Sequence, residues 1–452
     1  MTRFREQRTE ARHLAALAAP VVLTQFATML MGVVDTLMVA RLGTRAMAAT
    51  SLGNVWVWGT LVFGMGVILG LDPIVSQAHG RGDGPSTGLA LQRGILLALA
   101  LSVPLAFLWT RAGPALRLAG QDPELAVHAQ TFVLWQIPGI PAFLVYTALR
   151  QYLSGRGIMR PAMWVAWAAN GVNLFLDWVL IFGHLGFAPR GIAGAGLATG
   201  LSRVFMMVAL TSLVLGGRLH HGAWPGWSRL AFSRSGLADI LRIGLPVGAQ
   251  FGLEVWGFHI ATLLAGLLGA TALAAHAIVL NLASLSFMVP LGISIAASAR
   301  IGNLIGAGDR SGAARAANVA LVLGAGVMTA SAVLFLCLRH QLPRLWHPEA
   351  AVLAAAAGLL PVAAAFQVFD GTQAVGCGVL RGGGDTRPAM WFNLIGYYGL
   401  ALPLGALLAF HLGWGLPGLW WGLTLGLMAV AGMLVSRIRK HGPGAPLGEE
   451  KR

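Results

Sequence analysis

Five acidic side chains stand inside long apolar stretches of the sequence, where a charge is difficult to accommodate. They are Asp35, Asp72, Asp177, Glu254 and Asp370, and the other eleven of the sixteen acids fall in tails, loops or the ends of these stretches. A charge at the centre of a bilayer costs about 2.5–3.5 kcal/mol even on the lenient insertion scale. Such residues persist where they face a cavity, pair with another group or take up a proton. These five are therefore the candidates for chemistry.

A carboxylate in such a place suits the exchange of cations. It can hold a proton, a sodium ion or the positive charge of an organic molecule, and these compete for it. We expect Asp35, Glu254 and Asp370 to line a cavity or to couple transport to an ion; the alternative for each is a structural hydrogen bond between helices. Asp72 stands before Pro73 near the end of its stretch, where a structural role at a helix end is equally consistent.

Asp177 has polar companions at helical spacing. Asn173 lies one turn before it and so on the same face, and Thr199 stands on the next apolar stretch. Sodium needs several oxygen ligands, which these side chains could supply. The sequence therefore allows a sodium site at either of two places, Asp35 with Asp177 or Glu254 with Asp370.

For two prolines and two histidines inside apolar stretches, a structural role is an alternative to a functional one. Pro20 and Pro246 each remove a backbone hydrogen bond within an apolar stretch, which predicts either a hinge or a static kink. For His259 and His276 we expect interior histidines whose hydrogen bonds are satisfied.

The elements that carry these residues are predicted to be transmembrane helices. Of the 452 residues 56% are apolar and 10% charged, with a mean hydropathy of +0.72. Many apolar stretches exceed about 18 residues, the length that crosses roughly 30 Å of hydrocarbon as a helix, whereas a spanning strand alternates over about ten residues. The prediction is twelve spans, at about 14–39, 50–76, 88–111, 127–149, 160–184, 191–217, 238–266, 276–302, 314–338, 352–378, 388–411 and 414–437.

The basic residues behind the net charge of +15 lie mainly in the loops between these spans. With the N-terminus in the cytoplasm, 23 of the 31 Lys and Arg residues fall on the cytoplasmic side, seven fall outside and Arg203 lies within a span. This bias predicts both termini in the cytoplasm of a multi-pass protein of the inner (plasma) membrane, and it explains the charge without a nucleic-acid partner.

An internal repeat divides the chain. Residues 42–83 align without a gap with 268–309, both ending in Gly-x-Gly-Asp, and the same offset of 226 relates Pro20 to Pro246; the sequence RPAMW recurs at 160–164 and 387–391. The prediction is an N-terminal lobe (1–217), a cytoplasmic linker (218–237) and a C-terminal lobe with its tail (238–452). Because each lobe has an even number of spans, a pseudo-two-fold along the membrane normal should relate them.

Together these segments resemble the multidrug and toxic compound extrusion (MATE) family, especially its NorM-like members. The resemblance runs from about residue 14 to 437 and is carried by MGVVDTLMVARLG after Pro20, the paired Gly-x-Gly-Asp turns, the segment LEVWGFHIATLLAGLLGATALAAHAIVLNLASLSFMVPLGISIAASARIG and QAVGCGVLRGGGDTRPAMW. It implies efflux of cationic drugs in exchange for protons or sodium by alternating access. It also implies the cation-coupling and substrate-binding residues, namely Asp35, Glu254 and Asp370 as in NorM-like members and Asn173, Asp177 and Thr199 as in DinF-like members.

Three alternatives accompany this prediction. A lipid or polysaccharide flippase of the wider superfamily would have basic cavities, whereas the charges within these spans are mostly acidic. An intramembrane aspartyl protease would use a Gly-x-Gly-Asp motif but needs a Tyr-Asp partner, which the sequence lacks; a channel would not need two lobes of different charge. We expect a monomeric transporter, not an enzyme, without a cofactor and with a coupling ion, for which protons are slightly preferred.

Overall fold

The computed structural model describes residues 2–224 and 226–443, apart from the side chains of residues 2–4, and within these ranges the regular structure is entirely helical. The predicted tail beyond 443 lies outside the described residues. The helices are α1 (Thr2–Ala40), α2 (Thr44–Ile68), α3 (Leu71–Gly80), α4 (Gly84–Thr110), α5 (Ala112–Leu118), α6 (Pro123–Trp135), α7 (Gly139–Gly155), α8 (Arg160–Phe182), α9 (Gly191–Gly216), α10 (Arg234–Leu267), α11 (Ala270–Gly306), α12 (Arg310–Cys337), α13 (Ala350–Gly383), α14 (Arg387–His411) and α15 (Gly415–His441). Two 3₁₀ turns lie at Arg229–Phe232 and Leu342–Trp346.

Most of these helices are long and apolar enough to cross a membrane. In the described part of the chain, ten spans meet this test, α2 with α3 counting as one, and the bent pair α6 and α7 makes eleven. Helix α10 is also long enough at 34 residues, but polar side chains such as Gln250, Glu254 and His259 lower its hydropathy. With α10 the total is the twelve spans that the sequence predicts.

The first helix begins earlier than predicted. The sequence predicts its start at about residue 14, whereas α1 begins at Thr2. Ion pairs hold this extension, because Glu10 binds Arg300 through both carboxylate oxygens at 2.8 and 2.9 Å and Glu6 lies 3.4 Å from Arg315. Polar residues at the start of α1 are thus helical without being part of the apolar stretch.

Two predicted spans are broken. The second is interrupted by a turn at residues 69–70, between α2 and α3, and the fourth is the pair α6 and α7, bent by 53°. Pro138 lies at the second break and cannot donate a backbone hydrogen bond. The continuous helix expected over 127–149 is therefore wrong in this detail.

The chain forms two compact units that each contain parts of both sequence halves. One comprises Leu23–Gly248, and the other comprises Met1–Val22 with Ala249–Arg452. The two divisions, after residues 22 and 248, are 226 residues apart and each follows a proline by two residues, Pro20 and Pro246. The predicted lobes, 1–217 and 238–452, are boundaries of the sequence repeat and stay a prediction.

The repeat appears in the backbone as well as in the sequence. Gly43 and Gly269 have φ angles of +106° and +107°, and Gly82 and Gly308 have +74° and +79°. After these last two glycines, Asp83 accepts a hydrogen bond from the Ser86 N–H at 3.0 Å and Asp309 accepts one from the Gly312 N–H at 2.7 Å. Both aspartates therefore cap the next helix, which gives these Gly-x-Gly-Asp motifs a structural role.

A close backbone approach recurs in the same way. In the unit Leu23–Gly248, a Cβ on Gly66 would lie 2.6 Å from the Gly248 Cα. In the other unit, a Cβ on Gly292 would lie 2.9 Å from the Val22 backbone nitrogen. Gly292 and Val22 are the repeat partners of Gly66 and Gly248, so small residues allow α2 and α11 to pack against matching points of α10 and α1.

Candidate functional site

The first candidate site lies in the unit Leu23–Gly248 and centres on Asp35 of α1. Its side chain is buried, and its Oδ2 accepts a hydrogen bond from the Thr199 hydroxyl of α9 at 2.9 Å. The Thr199 hydroxyl lies 3.0 Å from the Ala195 carbonyl, so it has two acceptors within reach. The second oxygen of Asp35 has no hydrogen-bond partner among the described residues.

Helix α8 brings two more predicted residues to Asp35. Asn173 and Asp177 are fully buried and interact with it, and neither carboxylate oxygen of Asp177 has a hydrogen-bond partner in the described part of the chain. Leaving a buried polar group unsatisfied is costly, more so for a charge. Two carboxyl groups this close are unfavourable when both are ionised, so the site favours the uptake of a cation.

Arg203 belongs to the same site, although the sequence analysis gave it no role. It lies one turn beyond Thr199 on α9, is 5% exposed, and acts on Asp35 electrostatically. Its guanidinium lies 5.4 Å from the centre of the Phe143 ring and 5.9 Å from that of Trp109, distances at which an aromatic face attracts a cation. Its position deep inside a predicted span, far from both ends, was the available signal.

A cavity of about 50 Å³ opens beside these residues. A single water needs about 10–15 Å³ on the same measure, so the cavity holds a few water-sized particles but no drug. Its walls are formed by Thr28, Met31, Gly32, Asp35, Asn54, Trp58, Phe143, Ala166, Thr199, Arg203 and Met206.

The second candidate site lies in the other unit and centres on Glu254 of α10. This carboxylate is buried and accepts a hydrogen bond from the Gln373 side chain of α13 at 3.1 Å. The same Gln373 nitrogen donates to the Asn393 Oδ1 of α14 at 2.9 Å, while the Gln373 oxygen has no partner among the described residues. Gln373 and Asn393 were not predicted, because an amide inside a span gives a far weaker signal than a charge.

Asp370 lies one turn before Gln373 on α13. It is buried, interacts electrostatically with Glu254, and one of its oxygens has no hydrogen-bond partner in the described chain. Both polar atoms of the Gln367 side chain and the Tyr397 hydroxyl also lack a hydrogen-bond partner among the described residues. Tyr397 lies in a π-helical part of α14. Short π-helical segments are frequent at functional sites.

A larger, mostly apolar cavity of about 230 Å³ adjoins Glu254 and Asp370. Aromatic rings pack beside it, with the Phe258 ring centre 6.1 Å from that of Phe366 and 5.7 Å from that of Tyr397. Such a wall offers ring faces to an organic cation. The cavity is lined by Glu254, Val255, Phe258, His259, Thr262, Leu280, Ala283, Ser284, Phe287, Met288, Phe366 and Asp370.

The remaining residues singled out by the sequence have different environments. Asp72 is fully buried in the first turn of α3 and accepts a hydrogen bond from Gln151 at 2.6 Å, which favours the structural alternative. His276 lies between Thr262 and Trp420, with hydrogen bonds of 3.0 and 3.1 Å, as expected for a satisfied histidine. His259 differs, because its Nε2 has no partner among the described residues. Pro20 and Pro246 lie within unbroken helices, α1 and α10.

Comparison with known proteins gives the family. The MatE family model matches residues 20–179 and again 246–407, two segments that begin at Pro20 and Pro246, and this confirms the internal repeat. A "Probable multidrug resistance protein NorM" of Mesorhizobium japonicum is 38% identical and covers 97% of this chain and 96% of its own length. "Multidrug resistance protein PmpM" of Pseudomonas aeruginosa is 35% identical, covering 96% of this chain and 92% of its own length.

Solved structures have the same fold. The crystal structure of the eukaryotic MATE transporter AtDTX14 superposes with a TM-score of 0.89 at 25% identity, covering 96% of each chain. An outward-facing conformation of a multidrug resistance MATE family transporter of the MOP superfamily gives 0.86 at 20% identity over 95% of each chain. With the family model matching most of its length and a relative at 38% identity, this chain is a member of the MatE family, the multidrug and toxic compound extrusion transporters.

Proposed function

We propose that this protein is a secondary active multidrug exporter, which expels organic cations in exchange for protons or sodium ions by alternating access. The observation that carries the proposal is the presence, in each compact unit, of buried carboxylates beside a cavity. Among them Asp35, Asp177 and Asp370 have oxygens without a hydrogen-bond partner among the described residues. Such oxygens have lone pairs that can bind a cation. Related proteins are named as multidrug resistance proteins, which agrees with export of drugs.

The cavity beside Glu254 and Asp370 is the better candidate for the organic cation. Its volume of about 230 Å³ and its aromatic wall suit a flat apolar cation, or part of a larger one, and the two acids supply the opposite charge. An anionic lipid headgroup would meet carboxylates instead of basic side chains there, which argues against the flippase alternative.

The site around Asp35 is the better candidate for the coupling ion. Its cavity of about 50 Å³, which Asp35, Thr199 and Arg203 help to line, matches an ion or a few waters, and Asn173 and Asp177 add small polar groups beside Asp35. Either a proton on a carboxylate or a sodium ion among these oxygens satisfies the chemistry. The driving force suffices, since one charge crossing 100 mV releases about 2.3 kcal/mol, enough for roughly a 40-fold gradient.

Pro20 and Pro246 are candidate hinges for the transition. Each lies two residues before the point at which its helix passes from one compact unit to the other. A helix that lacks one backbone hydrogen bond at this point bends more easily. Replacement of either proline by alanine should slow transport, while binding of the organic cation to detergent-solubilised protein stays unchanged.

The experiment measures accumulation of ethidium in everted membrane vesicles. Asp35→Asn, Glu254→Gln and Asp370→Asn should each reduce accumulation to the level of vesicles without the protein, with equal amounts of protein in the membrane. Glu349→Gln, which alters an exposed acid in a loop, is the matched control and should behave as the wild type. Normal accumulation by all three site variants would refute the assignment of these residues.

The placement of the chain in the cell follows the charge bias of the loops. We infer a monomer in the inner membrane with both termini in the cytoplasm. Fluorescent-protein fusions at each terminus should fluoresce, because this reporter folds in the cytoplasm but not after export. Light scattering of the solubilised protein should give the mass of one chain.

A further inference from the structure

The segment that connects α9 to α10 is fixed to the unit Leu23–Gly248. We call its described residues, 218–224 and 226–233, the connecting segment. Gln92 of α4 holds it twice, donating to the Gly226 carbonyl at 2.5 Å and accepting from the Ser228 N–H at 3.0 Å. Arg93 donates to the Leu230 carbonyl at 3.2 Å. The predicted linker 218–237 is thus partly helical, since α10 begins at Arg234, and the connecting segment before it is docked.

A second set of bonds holds the beginning of this segment. Arg156, which directly follows α7, donates to the carbonyls of Leu219 and His221, the latter at 3.2 Å. The Tyr152 hydroxyl donates to the Ala223 carbonyl at 3.3 Å, and Arg156 also lies over the Tyr152 ring. Polar side chains of α4 and of the C-terminal end of α7 therefore bind the backbone of the connecting segment.

The connecting segment exposes three large apolar side chains. Trp227, Leu230 and Phe232 are 61, 64 and 65% exposed, whereas Ala231 between them is fully buried. A loop that met only water would not be expected to present three large apolar groups together. Tryptophan and phenylalanine beside arginine are typical of the boundary between lipid tails and headgroups.

The position of the segment along α4 agrees with that boundary. Arg93, which holds Leu230, lies nine residues after the first residue of α4. At 1.5 Å per residue this is about 14 Å along the helix axis. Leu230 is therefore held alongside α4, about 14 Å from its first residue, and not beyond its end.

Basic side chains surround the same surface. Arg229, Arg234 and Arg242 are exposed, and none forms a salt bridge among the described residues. An adjoining cavity of about 370 Å³ is lined by Arg93 and Arg242, by one acid, Asp239, and by isoleucines. Arginines over an apolar floor complement an anionic headgroup with its acyl chains.

We propose that the surface formed by Trp227, Leu230, Phe232, Arg229, Arg234 and Arg242 is a membrane anchor that binds anionic phospholipid. The apolar side chains enter the interfacial region, and the arginines bind headgroup phosphates. A second copy of the chain is disfavoured as the occupant, because a symmetric contact would oppose the same three arginines to one another. The anchor fixes the junction at which α10 begins.

The first test measures the surroundings of the apolar side chains in the full-length protein. Trp227→Cys and Leu230→Cys are labelled with a fluorophore after Cys337 and Cys377 are replaced by serine and alanine, and Ala307→Cys, in an exposed turn, is the control. In vesicles containing phosphatidylglycerol, nitroxide-labelled lipid should quench labels 227 and 230 but not 307. Quenching of 227 and 230 by aqueous iodide as strong as at 307, or protection from both quenchers, would overturn the proposal.

The second test concerns the charge. The ratio of phosphatidylglycerol to phosphatidylcholine retained by the solubilised protein should fall in Arg229→Gln, Arg234→Gln and Arg242→Gln, by about five-fold for each arginine removed. Arg339→Gln, which alters an exposed arginine in another loop, should not change the ratio. An unchanged ratio in the triple variant, with an unchanged melting temperature as evidence of folding, would show that the surface does not select anionic lipid.

Discussion

The Thr199 hydroxyl donates a hydrogen bond of 2.9 Å to one carboxylate oxygen of Asp35 and leaves the other oxygen without a hydrogen-bond partner among the described residues. One half of the carboxylate is thereby fixed and the other is available to a cation. The two residues lie on α1 and α9, 164 positions apart in the chain. The hydroxyl of α9 therefore orients the acid of α1.

Replacing Thr199 should therefore weaken transport without abolishing it. A hydrogen bond to a charged group contributes about 1.5–3 kcal/mol, so Thr199→Ala should lower the rate of ethidium efflux by about ten- to a hundred-fold. Thr199→Ser keeps the hydroxyl and should retain most of the activity. Equal rates for the alanine and serine variants would show that the bond to Asp35 is not used.

Gln373 should matter for binding of the organic cation. Its amide joins Glu254 to Asn393 at 3.1 and 2.9 Å, so Gln373→Leu would release the carboxylate from its fixed position. We expect KM for ethidium to rise by about ten-fold, a loss of roughly 1.4 kcal/mol, with a smaller change in the maximal rate. Gln341→Leu, at an exposed glutamine, is the control, and an unchanged KM for Gln373→Leu would contradict this role.

The close approach of Gly66 to Gly248 predicts a steric effect. A Cβ on Gly66 would meet the Gly248 Cα at 2.6 Å, and since that atom belongs to the backbone, the helices must move apart. Overpacking of this kind costs about 1–3 kcal/mol. Gly66→Ala should lower the melting temperature of the solubilised protein, whereas Gly171→Ala, whose Cβ would have no neighbour within 4 Å, should not. Equal melting temperatures would mean that this contact tolerates a methyl group.

Much of the fold could be predicted from the sequence, because its signals are local. Apolar length sets the spans, and the paired Gly-x-Gly-Asp motifs gave turns whose second glycines have φ angles of +74° and +79°. The break at Pro138 was missed because the apolar composition continues across it. The docking of the connecting segment was missed because its bonds come from Gln92, Arg93 and Arg156, far away in the chain.

The cap at Asp309 predicts a dependence of stability on pH. The Gly312 N–H and the Ser311 hydroxyl hold the pKa of Asp309 below its ordinary value of 3.8. A pKa lowered in the folded state contributes stability that is present above the unfolded pKa and is lost as pH falls through the folded one. Asp309→Asn keeps the acceptor but not the charge, so it should melt below the wild type at neutral pH. This difference should shrink as pH falls below 3.8 and vanish once Asp309 is protonated in the folded state; a constant difference would exclude the carboxylate as its cause.

The candidate sites were only partly accessible to sequence reasoning. The intramembrane acids stood out because a charge in lipid is rare, and Asn173 and Asp177 share a face by helical spacing alone. Arg203 and Gln373 were given no role, because the role of each depends on a neighbour across a helix interface. Arg203 interacts with Asp35, and Gln373 donates a hydrogen bond to Glu254. Those neighbours are set by packing between distant spans.

The central claim, that the protein exchanges an organic cation for an inorganic one, is tested most directly in proteoliposomes that contain only the purified protein. Ethidium movement is followed while either a pH gradient at constant sodium or a sodium gradient at constant pH is imposed. We expect transport under at least one gradient, with the pH gradient preferred, and loss of transport in Asp35→Asn and Glu254→Gln. Transport that proceeds equally when both gradients are collapsed, or that neither gradient drives, would contradict it.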